Sequence, residues 1–348
     1  MRALLLEEIG KPMQVKEVND PILTPEGVII KVEASGICRS DWHFWAGDIS
    51  LNSYPHVLGH EFTGTVLEVG NQVKKYKSGD RVIVPVTQGD NACPYCLGGH
   101  QNLCENRLTP GVHYWGGYGE YVHVPQADGN LVKLPDSMDF VSAASMGCRF
   151  VTAYYGLIEQ VRIRPGEWIV IHGCGGVGLS AVKIASAIGA KVIAVDIGDE
   201  KLEMAKNLGA AITINGKSQN AVEAVMEITK GGAQVSVDAL GITATCQNAI
   251  MSLGKQGRHL QLGVTTKEEK GFIPVPIDMI VAKEMQIVGS LTMPISRYPS
   301  MLNVVESLNI QPSQLITERI ALEQASDVFE AMSNYSNIGI SVIDRFYS

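Results

Sequence analysis

One stretch, "WIVIHGCGGVGLSAVKIASAIGA" (residues 168–190), constrains the fold more than any other part of the chain. An apolar run of strand length leads into Gly173, Gly175 and Gly178 in G-x-G-x-x-G spacing, and Val177, Ala181, Ile184, Ala185 and Ile188 then recur at helical period. In such a strand–turn–helix unit the first glycine allows the tight turn, the second lets a pyrophosphate approach the backbone, and the third lets helix and strand pack closely. Unpaired N–H groups and the positive end of the helix dipole favour the phosphates. Glycine-rich turns also arise for purely local reasons, so the context decides. Here "KVIAVD" ends on Asp196 about 20 residues further on, where a carboxylate accepts hydrogen bonds from an adenosine ribose and repels a 2′-phosphate. NAD is therefore expected in preference to NADP, held by Gly173, Gly175, Gly176, Val177, Gly178 and Asp196.

The texture of the chain changes around this unit. Residues 151–291 alternate strand-like and helix-like runs, which implies a parallel sheet with helical crossovers. Residues 1–150 carry short β-rich runs instead, "VIIKVEAS", "FTGTVLEV", "DRVIVPV" and "GEYVHVP", punctuated by Gly and Pro. Beyond residue 292 come helix-like "YPSMLNVVESL" and "EQASDVFEAM" and a closing strand-like "IGISVID". At 348 residues the chain exceeds one typical core, and the expected fold class is α/β with two domains.

Charge and cysteine usage narrow the partners. A net charge of −8 without a basic stripe excludes nucleic acid and anionic membrane as expected partners, and no apolar run reaches membrane-spanning length. The start, "MRALLLEEIGKP", fails as a secretory signal because acids follow its short apolar run, so a cytoplasmic location is expected. There, seven clustered cysteines read as metal ligands better than as disulfides.

Those ligand-type residues form two groups. "GICRSDWH" holds Cys38, Arg39, Ser40, Asp41 and His43, "GHEFTG" holds His60 and Glu61, and "MGCRF" holds Cys148. One imidazole and two thiolates are the three protein ligands of a catalytic zinc that keeps a fourth position open. The second group, "GDNACPYCLGGHQNLC", supplies Cys93, Cys96 and Cys104. Singly, each Cys or His would more often be a core residue or satisfy a local hydrogen bond; together, beside a dinucleotide fingerprint, they point to metal. Cys174 and Cys246 read as packing residues.

On "CRSDWH", on "GHEFTG", which fits the zinc signature GHExxG, and on "GCGGVG", the chain resembles the zinc-dependent alcohol dehydrogenase branch of the medium-chain dehydrogenase/reductase family from its first strand to its last. The resemblance implies a GroES-like catalytic domain from residues 1–150 and 292–348, a Rossmann domain from 151–291, and an active site in the cleft. It implies that Cys38, His60 and Cys148 hold the catalytic zinc and that Asp41 orients His60. Ser40 would meet the substrate oxygen, His43 would pass its proton to solvent, and Arg39 and Lys201 would contact the cofactor's phosphate and ribose. Glu61 is either an acid that assists or transiently ligates the zinc, or a buried brace of its loop. The family's structural zinc loop, C-x2-C-x2-C-x7-C, matches Cys93, Cys96 and Cys104 in its last three positions, and its first falls on Asp90. A carboxylate carries the same charge as the thiolate it replaces, so Asp90 is the favoured fourth ligand; His100, or a loop of free thiols, is the alternative. Two zinc ions per chain are thus expected. A second departure is Ile340 after Gly339, where many members carry a phosphate-contacting Arg.

The implied activity is reversible oxidation of primary or secondary alcohols to aldehydes or ketones. Trp45, Val86, Tyr114 and Trp115 are the candidates for an apolar pocket, and no cationic anchor for an acid or phosphate stands out. A polyol or sorbitol-type dehydrogenase is the nearest alternative, although those commonly carry Glu where Cys148 stands. A nucleotide-binding protein without catalysis is the reading from another class, and the retained Cys38, His60 and Cys148 argue against it. The family suggests a homodimer or homotetramer through the edge of the Rossmann sheet, for which "MQIVGSLTM" is the apolar edge strand.

Overall fold

The computed structural model describes residues 1–334 and 337–347, and divides the chain into two units. The first comprises Met1–Cys148, Thr292–Leu302 and Gln311–Ser348, the second Arg149–Leu291 and Asn303–Ile310.

The first unit opens with strands β1 (Arg2–Leu5), β2 (Gln14–Glu17), β3 (Val28–Gly36), β4 (Glu61–Val69), β5 (Arg81–Val84), β6 (Tyr121–Val124) and β7 (Val132–Lys133). The second contributes β8 (Trp168–His172), β9 (Lys191–Asp196), β10 (Ile212–Asn215), β11 (Ala233–Asp238), β12 (Leu253–Gln261) and β13 (Gln286–Gly289). The chain then returns to the first unit with β14 (Ile316–Ala321) and β15 (Ile340–Arg345).

In the first unit the sheet order is β14-β15-β3-β4-β5-β7, with β6 also paired to β3. β15 runs parallel to β14 and antiparallel to β3, so it lies inside the sheet. Ile30, Val32, Phe62, Val66, Tyr118 and Phe329 are buried at the heart of its core. The β3–β4 pairing matters most for function. Its register ends on Gly36 opposite Glu61, which brings the loop after β3 and the residues entering β4 side by side. The short helix Arg39–Trp45 begins in that loop. The β-rich texture of residues 1–150 hides it, because seven residues are too few for a helical period to stand out.

The second unit is an all-parallel six-stranded sheet of order β10-β9-β8-β11-β12-β13. β8 and β9 are nearly continuous apolar runs, as strands covered on both faces must be. Strand order reverses between β8 and β11, and in open sheets of this kind ligands bind beyond the strand ends at that switch point. The helix Gly176–Ile188 leaves β8 there and stops at Gly189, whose φ of 92° is the left-handed conformation that glycine adopts without strain. Among the described residues, no helix is long and apolar enough to cross a membrane.

Candidate metal centres and cofactor loop

Ligand atoms of Cys38, His60, Glu61 and Cys148 lie within 4.8 Å of one another in the first unit. Cys38 N-caps the helix Arg39–Trp45, and His60 and Glu61 enter β4, so the β3–β4 register builds half of the cluster. Glu61 is fully buried, and a Cβ on Gly147 would stand 2.4 Å from its Cβ, so only a glycine lets Cys148 come this close.

A buried carboxylate holds the imidazole. His60 Nδ1 is 2.9 Å from Asp41 Oδ1, and Tyr118 donates its hydroxyl to Asp41 Oδ2 at 2.8 Å. Burial alone would lower the His60 pKa, but Asp41 and the Cys38 sulfur raise it well above the ordinary imidazole range. With Nδ1 engaged, Nε2 faces the cluster; it is buried and has no hydrogen-bond partner. An orphaned imidazole nitrogen beside two cysteines is the donor set that suits zinc. Ser40 Oγ lies 3.6 Å from Cys38 Sγ, while His43 is partly exposed with Nδ1 2.8 Å from Asp48 Oδ2.

The second cluster joins Asp90, Cys93, Cys96 and Cys104, again within 4.8 Å. Exposed His100 is not part of it. Cys93 caps the helix Pro94–Leu97, and its sulfur is 3.8 Å from Cys104 Sγ. Asp90 Oδ1 accepts from the backbone N–H groups of Ala92 and Cys93, each at 2.9 Å, and Oδ2 accepts from Asn106 Nδ2 at 2.7 Å. Those bonds hold its carboxyl well below the usual carboxylate range. Burial and the neighbouring thiols push Cys96 up to about 12, so a cation is what would hold it as thiolate. The residues present therefore fit a closed four-ligand site.

In the second unit the three fingerprint glycines have distinct reasons to be glycine. Gly173 sits at φ 95°, a Cβ on Gly175 would meet nothing within 4 Å, and a Cβ on Gly178 would stand 1.7 Å from the Gly173 carbonyl oxygen. The open side at Gly175 is the cradle a pyrophosphate needs. Asp196 closes the turn: its Oδ2 accepts from Cys174 N at 2.7 Å and its Oδ1 from Ile197 N and Gly198 N at 2.8 and 3.0 Å. Lys201 packs its stem 3.6 Å from where a Gly198 Cβ would be.

The remaining predicted residues have less uniform surroundings. Arg39 donates to the Met332 carbonyl and stacks 3.8 Å from the Trp42 ring centre. Trp45 lies in the core of the first unit, edge-on to Phe329, with its indole N–H donated to Lys11 O at 2.7 Å. Val86 is buried, Trp115 is half-buried against the same core, and Tyr114 donates to Gln88 Oε1 at 2.9 Å. Ile340 is fully buried in β15, and Cys174 and Cys246 are buried. Three further residues belong to these sites without a signal in the sequence: Tyr118 on Asp41, Asn106 on Asp90, and Tyr298, whose hydroxyl pKa is raised by burial and by Cys148 and Glu61. None of these partners lies at a spacing that announces the contact.

Residues 24–136 match the family described as alcohol dehydrogenase GroES-like domain, and residues 176–307 the family described as zinc-binding dehydrogenase. An alcohol dehydrogenase of Geobacillus stearothermophilus is 36% identical over 334 residues, covering 95% of this chain and 96% of that protein. An NAD-dependent alcohol dehydrogenase of Sulfurisphaera tokodaii is 34% identical, with 99% of both chains covered. Among solved structures, the alcohol dehydrogenase TADH from Thermus sp. ATN1 superposes with a TM-score of 0.91 at 32% identity, over 99% of each chain. With both clusters, the fingerprint and the parallel-sheet order in place, the chain belongs to the zinc-dependent alcohol dehydrogenase branch of the medium-chain dehydrogenase/reductase family.

Proposed function

We infer that this chain is an NAD-dependent zinc alcohol dehydrogenase that interconverts primary or secondary alcohols with aldehydes or ketones. The observation that carries this reading is the orphaned, buried His60 Nε2 beside Cys38 and Cys148, in a chain that also holds a complete dinucleotide fingerprint. When bound, zinc makes deprotonation of an alcohol accessible at neutral pH and NAD accepts the hydride.

The chain's residues divide the remaining work. Cys38, His60 and Cys148 would hold the ion, and two thiolates would offset its charge, which suits alcohol activation more than water activation. Asp41 fixes the His60 ring. Ser40, beside Cys38, would accept the substrate's hydroxyl proton as it releases its own toward the cofactor ribose, and His43, partly exposed, would take that proton from the ribose and pass it to solvent. Glu61, whose carboxylate lies within 4.8 Å of the three ligand atoms, would assist them as an acid. Gly173, Gly175, Gly176, Val177 and Gly178 receive the pyrophosphate, Asp196 and Lys201 the ribose, and Arg39 the phosphate. Trp45, Val86 and Trp115 are the apolar side chains this reading gives to the substrate pocket; the Trp45 indole N–H is also donated to Lys11 O, and both tryptophans pack with the core of the first unit. Asp90, Cys93, Cys96 and Cys104 would hold a second zinc that braces their loop. A cytoplasmic homodimer or homotetramer accords with the outer strand β13, which leaves Gln286 and Ile287 exposed at the sheet edge.

The test is initial-rate oxidation of NADH and NADPH against aliphatic and aromatic aldehydes, ketones and ketoses with zinc retained. Turnover with NADH and simple carbonyls is expected, and Cys148→Ala should abolish it while NADH still binds. Full activity in that variant would remove Cys148 from the ligand set.

A further inference from the structure

Arg149 follows Cys148 directly and opens the second unit. It is a charged residue only 5% exposed, and its stem lies on the glycine loop: a Cβ on Gly176 would stand 2.3 Å from Arg149 Cδ, 3.2 Å from Cγ and 3.4 Å from Nε. Gly176 is the first residue of the helix Gly176–Ile188, so the stem and Nε of this side chain lie at the helix start, where unpaired amides favour a phosphate.

The charges around the loop make the placement informative. A dinucleotide pyrophosphate is doubly negative, and the loop already carries Asp196 against its own backbone. Lys201 packs against Gly198, at the Asp196 end of the turn, whereas Arg149 packs against Gly176, at the amide end.

We propose that Arg149 is a cofactor-binding residue whose guanidinium makes a charge-assisted contact to the pyrophosphate above Gly176. The planar fork of arginine suits two phosphate oxygens at once, which a lysine cannot reproduce. The assignment rests on the reading of Gly173–Gly178 as the pyrophosphate loop.

Calorimetric titration of zinc-loaded protein with NADH, ADP-ribose and adenosine tests it. In Arg149→Met, which keeps the stem on Gly176 and removes the charge, NADH and ADP-ribose should bind roughly ten- to a hundredfold more weakly while adenosine is unchanged. Arg149→Lys should recover part of the loss, and the dependence of NADH affinity on salt should be shallower in Arg149→Met than in wild type. Arg149→Gln carries the same comparison should the methionine variant fold poorly. NADH and ADP-ribose affinities within twofold of wild type would overturn the proposal, as would tighter binding, which would make Arg149 an occupant that NAD must displace. An equal loss for adenosine would make it a prop of the loop. Wild-type protein that binds neither NADH nor ADP-ribose would overturn the reading of the loop itself.

Discussion

Asp41 Oδ1 and His60 Nδ1 stand 2.9 Å apart, and both side chains are buried. The same carboxylate accepts from Gly59 N at 3.1 Å and from the Tyr118 hydroxyl at 2.8 Å, so neither oxygen is free to rotate away. A ligand ring fixed in this way presents its other nitrogen in one direction and as a stronger donor. Asp41→Asn keeps the shape and removes the charge. Its zinc affinity at this centre should fall about 10–100-fold, measured by competition with a chromophoric chelator. Unchanged affinity would reduce the pair to packing.

Asp90 offers a countable outcome. Native mass spectrometry should find two zinc ions per wild-type chain and one in Asp90→Ala, because three thiols do not close a tetrahedron. A count of two in the variant would take Asp90 out of the site. Its bonds to Ala92, Cys93 and Asn106 would then be its whole role.

Asp196 combines selection with architecture. Asp196→Asn removes the charge that repels a 2′-phosphate, and the ratio of NADPH to NADH use should rise by about ten- to a hundredfold. Three backbone N–H groups now point at this carboxylate, and an amide offers one acceptor oxygen in place of two. The variant should also lose about 1 kcal/mol of stability in urea unfolding. An unaltered cofactor ratio would move selection elsewhere in the loop.

The strand leading into the loop carries an acid-sensitive residue. His172 is buried at the end of β8, and burial together with the charge of His259 lowers its pKa from 6.5 to about 3. The unfolded chain takes up this proton below pH 6.5 and the folded chain does not until about 3, so stability falls as the pH drops through that window. The slope from this residue approaches about 1.4 kcal/mol per pH unit. Urea midpoints should therefore drop between about pH 7.5 and pH 5, and His172→Leu should flatten the drop. An equal drop in the variant would assign the acid sensitivity to other groups, buried His259 first among them.

What could be read from the sequence was whatever depends on short spacing. The turn from β8 into the helix at Gly176 needs glycines at fixed offsets, and the hydrophobic runs of β8 and β9 are written in consecutive residues. Cys93, Cys96 and Cys104 likewise sit close enough together to announce a site. Their partners beyond the loop do not. The Tyr118 hydroxyl reaches Asp41 because separate segments converge in the first unit, and Arg149 meets Gly176 across the start of the second. Neither contact has a period, so folding has to bring the residues together before the chemistry can be seen. Trp45 has a contact of the same kind: its ring packs on Phe329 from a distant part of the chain, which no local spacing announces.

Translation imposes an order on the two units. The six strands from Trp168 to Gly289 are contiguous, so their sheet can close once that stretch has left the ribosome. The other sheet cannot. Its interior strand β15 is drawn from Ile340–Arg345, and until those residues emerge the Ser35–Gly36 end of β3, which β15 will cover, lacks its partner on that side. A nascent chain would thus hold a finished cofactor module while the other sheet is still open, which makes Ile340–Arg345 the closing piece of the half that carries both candidate zinc sites.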